Sequence, residues 1–402
     1  MSGVEVRREG AGAHERIVLD NGAVRLTAAP GLGGRLLSVR FGGREHLYRN
    51  PRLLDADLRP VEGVELGPVD GPMSVWNNVG GDKTWPAPQG WDGPGQWAGP
   101  PDPVLDSGAY TAETVTAPDG SAVLTLTSGD DPRSGLRLRR RITLEPGTAG
   151  FRLDLEAANT SGTARRWALW NVTQIDGSGA GPDAGGVFVG VGGPGPHTVP
   201  LVAGNGNPEV LGHAPGVLRV PAQDVVGKVG FPTATGWLAH VGAAGTLTQR
   251  FAVRGEAEYP DSGSRAEVWL EAPVERPLEH LGGLCPVDRV TEVEALGPLT
   301  DLAPGAATAL TIAFGLGTGT GPVAGVTPDG FWGEVPHWAG PGTSPARLAG
   351  TFTALRAGSL VHRASGTELA RALPGEPVRF DAPVPGAGAD TPTDVDFAPE
   401  QR

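Results

Sequence analysis

Short stretches in which apolar and polar residues alternate recur along most of this chain, and they constrain the fold more than any other feature. Clear examples are residues 122–127, 136–144 and 151–157. Alternation with a period of two is typical of strands that bury one face. The 64 glycines and 39 prolines follow no collagen-like period, so they indicate turns between many short strands. The sequence therefore predicts an all-β sandwich or barrel.

Further segments extend this pattern to most of the chain. Two apolar runs, 16–19 and 23–28, flank Asp20-Asn21-Gly22, which is a strong hairpin signal. No segment before residue 340 has the length and period of a helix. We predict a flexible N-terminus at 1–15, one β domain at 16–340, and peripheral strands with a tail at 341–402. The other predicted strands are 35–41, 165–174, 237–241, 247–251, 266–271, 291–296 and 308–314.

Charge and composition exclude several classes of function. A formal net charge of −13 argues against a nucleic acid or anionic membrane as partner, because both require a basic surface. Residues 1–16 lack an apolar stretch, so we expect no secretory signal and a cytoplasmic location. The eight histidines are scattered and predict no metal site. The glycine cluster at 31–34 precedes no helix, which argues against a dinucleotide cofactor. We expect no cofactor and predict no oligomeric state.

Residues 77–89 concentrate side chains that suit a polyhydroxylated ligand. Amides and carboxylates exchange hydrogen bonds with hydroxyls, and an indole face covers the C–H side of a sugar ring. Glycine and proline interrupt helices and central strands, so we interpret the segment as a loop. The alternative is that these residues cap turns and fill the core. The side chains concerned are Asn77, Asn78, Asp82, Lys83, Trp85 and Gln89.

Lys83 is distinctive because the chain has only one other lysine, Lys228, and takes the rest of its basic charge from arginine. A lysine kept where arginine is the usual choice indicates a need for a compact ammonium. In contrast, Arg137, Arg139 and Arg141 share one strand face. We interpret them as a solvated face paired with acidic residues of the next strand.

Several separated motifs together resemble one family. They are Asp20-Asn21-Gly22, Gly33-Gly34-Arg35, residues 78–89, residues 170–174 and residues 294–305. The most specific part is Gly-Gly-Asp-Lys-Thr-Trp-Pro within 78–89. The chain resembles the DUF4380 proteins of the galactose mutarotase-like group over about residues 16–316. The resemblance implies a β-supersandwich with a carbohydrate cleft on its concave face, here with a peripheral C-terminal extension, and it implies no single activity.

The same resemblance guides the choice of catalytic candidates. Aldose 1-epimerases of this group use a carboxylate base and a histidine pair, and the segment comparable to one histidine motif here, 170–174, has no histidine. A late strand supplies Glu292 and Glu294 as possible bases, while Glu267 and Glu271 share a face of another strand. Each of them is also open to interpretation as an exposed strand residue. The catalytic candidates are Glu294, Glu271, Lys83, Asp82 and His240.

We therefore predict a carbohydrate-active protein with epimerase-like or isomerase-like acid–base chemistry on a small sugar or glycosylated ligand. The alternatives are a non-catalytic sugar binder, a hydrolase with two carboxylates across one bond, a polysaccharide lyase, and an enzyme of specialised metabolism. Trp91 belongs to the same aromatic group as Trp85 and Trp97. The side chains assigned to binding are Arg35, Asn77, Asn78, Trp85, Gln89, Trp97, Asn171, Gln174 and Arg250.

Overall fold

The computed structural model describes residues 3–90, 96–177, 185–339, 345–387 and 391–400. Strands dominate it. In the first part of the chain they are β1 (Glu5–Glu9), β2 (Arg16–Asp20), β3 (Val24–Ala29), β4 (Arg35–Phe41), β5 (Arg44–Glu45), β6 (Asp82–Ala87), β7 (Thr111–Thr116), β8 (Ala122–Thr127), β9 (Leu136–Leu144), β10 (Gly150–Asn159), β11 (Arg165–Asp176), β12 (Gly186–Val191), β13 (Val199–Ala203), β14 (Leu211–Ala214) and β15 (Val217–Val220).

The remaining strands are β16 (Gly227–Gly230), β17 (Ala234–Gly242), β18 (Gly245–Phe251), β19 (Ala266–Glu271), β20 (Val290–Leu296), β21 (Thr300–Leu302), β22 (Ala307–Gly317), β23 (Gly325–Val326), β24 (Gly330–Ala339), β25 (Ala346–Ala354), β26 (Gly358–His362), β27 (Thr367–Ala372), β28 (Pro377–Val384) and β29 (Val395–Pro399). Helical turns are short: 3₁₀ turns at Gly12–His14, Met73–Val75 and Glu279–Leu281, and a single turn, α1, at Pro260–Gly263.

Two large antiparallel sheets enclose the main core. The first has the order β1-β2-β3-β4-β6-β11-β20-β19-β16-β13, with β5 on β4 and β21 on β11. The second has the order β14-β15-β12-β17-β18-β22-β10-β9-β8-β7. Apolar side chains of both sheets form one buried cluster, including Leu26, Leu138, Leu153, Val293 and Ala295. Strands such as β8, β9 and β10 bury alternate residues in this cluster, as the period-two pattern requires.

The sequence-based prediction of an all-β fold is confirmed. The Asp20-Asn21-Gly22 hairpin joins β2 to β3, which pair antiparallel from Ile17↔Ala28 to Asp20↔Arg25. On the second sheet, two of the three arginines on the exposed face of β9 pair with acidic residues of β10 as expected, whereas Arg137 pairs with Asp130 at 2.8 Å, before β9. Arg139 lies 2.8 Å from Glu156, and Arg141 lies 3.5 Å from Asp154.

The interpretation of 77–89 as a loop is wrong for Asp82–Ala87, which forms β6 in the middle of the first sheet. β6 pairs along its length with β11 but pairs with β4 only at Leu36↔Asp82. Beyond Asp82, the edge of β6 that faces β4 is therefore not paired with β4. This is why Pro86, which lacks an N–H donor, is tolerated there.

Both ends of the chain add strands. Part of the expected flexible start, Glu5–Glu9, pairs with β2 as β1. Beyond the two large sheets, a four-stranded sheet (β23-β24-β25-β28) and a three-stranded sheet (β27-β26-β29) share a second apolar core. β24 belongs to this C-terminal unit, so its sheets begin before residue 340.

No helix in the described part of the chain has the length and apolar composition needed to cross a bilayer.

Candidate active site

The face of the first sheet that points away from the second sheet carries an unusual set of charged and aromatic side chains. We call it the outer face. Strand register places its members side by side: Val172 pairs with Lys83 on β6 and with Glu294 on β20, and Trp269 on β19 pairs with Glu292. Residues two apart on a strand share a face. The outer face thus gathers Lys83, Trp85, Trp170, Gln174, Lys228, Glu267, Trp269, Glu271, Glu292 and Glu294.

A cavity of about 100 Å³ lies on this face, and we call it the chamber. Four indoles and several aliphatic side chains make most of its wall. Its charged wall residues come from strands of the sheet. The chamber is lined by Met73, Trp76, Trp85, Gln89, Pro100, Trp170, Val202, Lys228, Trp269, Glu271, Leu281, Leu284 and Glu292.

Lys83 lies behind the chamber wall, where it is 1% exposed. Its Nζ is 3.5 Å from Oε1 of Glu292 and lies 4.8 Å from the ring centre of Trp76 and 4.5 Å from that of Trp85. Gln174 donates a second hydrogen bond of 2.6 Å to the same oxygen of Glu292. Burial lowers the pKa of Lys83 to about 8, although the nearby Glu292 opposes the shift. Glu292 thus accepts hydrogen bonds from both Lys83 and Gln174.

Glu271 lines the same chamber as Glu292. In the β19–β20 register Glu271 pairs with Val290 and Trp269 with Glu292, so the two glutamates are diagonal neighbours. The indole of Trp269 donates to Glu271 at 3.1 Å. Burial raises the pKa of Glu271 to about 7, and the adjacent charge of Glu292 raises it further in the same direction. The chamber therefore holds two carboxyl groups in different environments, one of which titrates near neutrality.

Lys228, the other lysine, holds a second pair of glutamates. Its Nζ lies 2.8 Å from Glu267 and 2.8 Å from Glu294, and 4.3 Å from the ring centre of Trp170. Burial disfavours the Lys228 ammonium, but the two carboxylates outweigh that effect and raise its pKa. Burial raises the pKa of both glutamates, against the opposing charge of Lys228. Lys228 thus joins Glu267 and Glu294 by hydrogen bonds next to the chamber.

A third ion pair anchors the chamber's aromatic wall. Arg35 is 2% exposed and donates to the carboxylate of Asp106 and, at 3.2 Å, to the carbonyl of Gly80. The other oxygen of Asp106 accepts a 2.8 Å hydrogen bond from the indole of Trp76. Arg35 therefore acts on the site indirectly, because it fixes the acid that orients Trp76.

A second, more polar cavity of about 280 Å³ adjoins the chamber, and we call it the groove. Asn77 and Asn78 line it, as does Glu271. The phenol of Tyr48 donates to Asp288 at 2.7 Å on its wall. The full lining is Tyr48, Asn50, Arg52, Leu53, Met73, Ser74, Trp76, Asn77, Asn78, Glu271, Gly283, Leu284, Cys285, Pro286, Val287 and Asp288.

The structure brings together most of the residues predicted from sequence. Trp85, Gln89 and Glu271 line the chamber. Lys83, Gln174 and Glu294 are buried on the outer face beside it. Trp97 packs against Trp85 with ring centres 5.0 Å apart. Trp91 lies outside the described residues.

Asp82 and Asn171 lie on the opposite side of the first sheet, facing the second sheet. Asp82 forms a fully buried ion pair with Arg140 of β9, and Asn171 donates to Asp82 at 2.7 Å. Thr173 also donates to Asp82 and accepts from Gln249 of β18 at 2.6 Å. These residues join the two sheets, so the position of Asp82 does not suit the predicted catalytic role.

His240 and Arg250 also lie away from the chamber. His240 is 5% exposed on β17 of the second sheet, where burial, and next the neighbouring His46, lower its pKa to about 4. Arg250 follows Gln249 on β18, and Gln249 points between the sheets. Arg250 therefore points away from the first sheet. Neither residue reaches the outer face.

Sequence reasoning missed several residues of the site. Trp76, Trp269 and Asp106 lie in segments with no motif that predicts a site. Trp170 begins the motif at 170–174 but was not chosen as a site residue. One sequence signal pointed to Lys228, which is one of only two lysines. The structure places it beside Glu267 of β19 and Glu294 of β20. Within the described residues, no group of three or more His, Cys, Asp or Glu side chains is placed to hold a metal ion.

Comparisons with solved structures give matches at low sequence identity. A TPR-domain containing protein from Parabacteroides distasonis aligns with a TM-score of 0.49 and 13% identity, covering 75% of this chain and 46% of that one. A galactose mutarotase-like protein from Clostridium acetobutylicum aligns at 0.49 and 9%, covering 78% and 98%. One from Lactobacillus casei aligns at 0.44 and 12%, covering 75% and 99%.

Comparisons by sequence identify a family but no curated relative. Among curated proteins, none matches this chain in sequence. A family model does match it, over residues 14–311, which is most of the chain and includes every residue of the chamber. The family is described as DUF4380, a domain of unknown function. The chain belongs to the DUF4380 family.

Proposed function

We propose that this protein binds a carbohydrate ligand at the chamber and the adjoining groove and carries out acid–base chemistry of the isomerase or epimerase class on it. The observation that carries the proposal is the pair of carboxyl groups on the chamber wall: burial raises the pKa of Glu271 to about 7, and Glu292 accepts hydrogen bonds from Lys83 and Gln174. Paired groups of this kind identify the acid and the base of a reaction at near-neutral pH. The indoles around them supply a flat apolar surface against which the non-polar part of a carbohydrate ligand packs.

The two carboxyl groups have distinct roles in this proposal. Glu292 receives hydrogen bonds from Lys83 and Gln174, so it acts as the base that removes a hydroxyl proton. Glu271, with a pKa of about 7, is protonated in a large fraction of molecules at neutral pH and acts as the acid. No histidine is needed, which agrees with the motif at 170–174. Lys83 is a positioning residue, because it acts through Glu292.

The proposal is tested with a panel of sugars and sugar acids. Specific binding raises apparent stability by mass action, so thermal shift identifies ligands. Anomer or epimer exchange of each ligand is then followed by NMR. We expect Glu292→Gln to lower turnover by about 100-fold or more while sugar binding is retained. Glu113→Gln, on exposed strand β7, is the matched control and keeps full turnover.

Two results would contradict the proposal. One is a wild-type protein that binds a sugar of the panel but converts none, which leaves a non-catalytic binder. The other is full turnover in both Glu292→Gln and Glu271→Gln. In that case the carboxyl pair has no part in the chemistry.

A further inference from the structure

We infer that the ligand has two chemically different parts: an apolar group that occupies the chamber and a hydroxyl-rich sugar that occupies the groove. This inference rests on the proposed function, because it names the class of carbohydrate that the same site takes. It is carried by the contrast between the two adjoining cavities. The chamber wall is mostly indole and aliphatic, while polar side chains line much of the groove.

Most hydrogen-bond donors on the chamber wall are already engaged, although the buried indole N–H of Trp85 has no partner among the described residues. Lys228 donates to two carboxylates, and the indoles of Trp170 and Trp269 donate to Glu294 and Glu271. Glu271, Glu292 and the Trp85 indole could each bond a hydroxyl, but the remaining hydroxyls of a buried sugar ring would lose hydrogen bonds to water without replacing them, which is unfavourable. An apolar ring loses none and gains contact with the surrounding indoles. The chamber therefore suits an aryl or acyl group better than a hexose.

The groove has the opposite character. Its 280 Å³ volume exceeds the 100 Å³ of the chamber, so it takes the larger part of the ligand. The side-chain oxygen of Asn78 is buried and has no hydrogen-bond partner among the described residues. Buried polar atoms without a partner are rare in folded proteins, and a ligand hydroxyl satisfies this one. Ser74, Asn77 and Asn50 add further polar groups to the wall.

The chamber and the groove meet at four shared residues: Met73, Trp76, Glu271 and Leu284. The loops at 73–76 and 281–284 approach each other closely at this junction. A Cβ added at Gly282 would lie 3.1 Å from the Cβ of Met73, so the loops are packed closely there. Glu271 is the titratable group exposed to both cavities, and it lies where the apolar group joins the sugar. Proton transfer by Glu271 is therefore directed to the atoms of that junction.

The test uses matched pairs of probes on the full-length protein. Each pair differs only in an apolar ring: phenyl and methyl glycosides, and 6-O-benzoyl and 6-O-acetyl sugars, of glucose, galactose and mannose. Affinities are measured by calorimetry with wild type and with Glu292→Gln, in which turnover is blocked. We expect the aromatic member of at least one pair to bind about tenfold more tightly or better, because burial of the ring contributes to affinity.

Two variants assign the two parts to their cavities. Val202→Trp fills the chamber, so it should erase the aromatic advantage and leave the binding of the methyl or acetyl probe unchanged. Asn78→Ala removes a groove acceptor, so it should weaken both members of the pair by the same factor. Unchanged thermal unfolding of Val202→Trp confirms that the variant is folded.

The inference is overturned if the plain probes bind as tightly as the aromatic ones, or if no probe binds. It is also overturned if Val202→Trp weakens both members equally. The proposed function fails separately: an aromatic preference without conversion of any sugar by wild type contradicts the chemistry but supports the two-part ligand. Conversion of plain sugars without an aromatic preference would support the chemistry but contradict the two-part ligand.

Discussion

Adjacent residues of β6 lie on opposite faces of the first sheet, and this separates two roles that one short motif combines. Lys83 points to the outer face and contacts Glu292. Asp82 points between the sheets and pairs with Arg140. The motif Gly-Gly-Asp-Lys-Thr-Trp-Pro thus supplies Lys83 and Trp85 to the candidate site and Asp82 to the core. The period-two geometry of a strand is sufficient to explain the difference.

The pH dependence of stability should report on Glu271. Burial raises its pKa from 4.5 to about 7. Between these values the native state keeps a proton that the unfolded state releases, so native stability falls as the pH rises. Glu271→Gln removes this loss. The free energy of unfolding of the variant, relative to wild type, should increase by about 2–3 kcal/mol from pH 4.5 to 7. Urea unfolding at several pH values measures it, and a flat difference would contradict the raised pKa.

A double-mutant cycle should show that Lys83 and Glu292 are coupled. Both are buried and lie 3.5 Å apart, so removing either leaves a buried charge without its partner. We expect a coupling free energy of about 1–3 kcal/mol from Lys83→Met, Glu292→Gln and the double variant. The exposed pair Arg139 and Glu156 is the control and should couple by about 0.5 kcal/mol or less. Equal coupling in the two pairs would contradict a specific role for Lys83.

At the scale of elements, β6 depends on the two glycines before it. Gly81 has a φ of +84°, and a Cβ there would lie 2.6 Å from the carbonyl oxygen of Leu36. Gly81→Ala should therefore lower the free energy of unfolding by about 2–4 kcal/mol. Gly305, with a φ of +81° and open space around it, is the control. Gly305→Ala should cost only about 1 kcal/mol, and similar losses for both variants would show that the close contact is unimportant.

The Asp82–Arg140 pair connects the two sheets, and its loss should destabilise the protein strongly. Asp82→Asn leaves the Arg140 guanidinium buried without its counter-charge, which should cost about 3–5 kcal/mol in chemical unfolding. Glu156→Gln breaks a partly exposed pair on the second sheet and should cost about 1 kcal/mol at most. A loss of 1 kcal/mol or less for Asp82→Asn would contradict a structural role for the pair.

At the scale of the whole molecule, alternation in the sequence was sufficient to predict the all-β fold and most strands. It was not sufficient to predict which strands are neighbours. β6, β11, β20 and β19 are adjacent in the first sheet although they are far apart along the chain. Their order decides which glutamate meets Lys83. Glu292, weighed as one of several possible bases, is the one that does so.

The same order explains the candidates that the fold places elsewhere. His240 was a candidate to replace the acid that the histidine missing from 170–174 would supply, but its strand lies in the second sheet. Asp82 was grouped with Lys83 because the segment was interpreted as a loop, in which neighbouring side chains often converge. The loops at 73–76 and 281–284 form much of the chamber wall, and their meeting has no local sequence signal.

The central claim is that the chamber and groove on the outer face bind a carbohydrate. The most direct test is the indole region of a ¹H–¹⁵N NMR spectrum, assigned with single Trp→Phe variants, during titration with the sugar of largest thermal shift. Binding at this site should move the signals of Trp76, Trp85 and Trp269 and leave those of Trp237 and Trp332 in place. Changes confined to Trp237, Trp332 or Trp338, or none with any sugar, would contradict the claim.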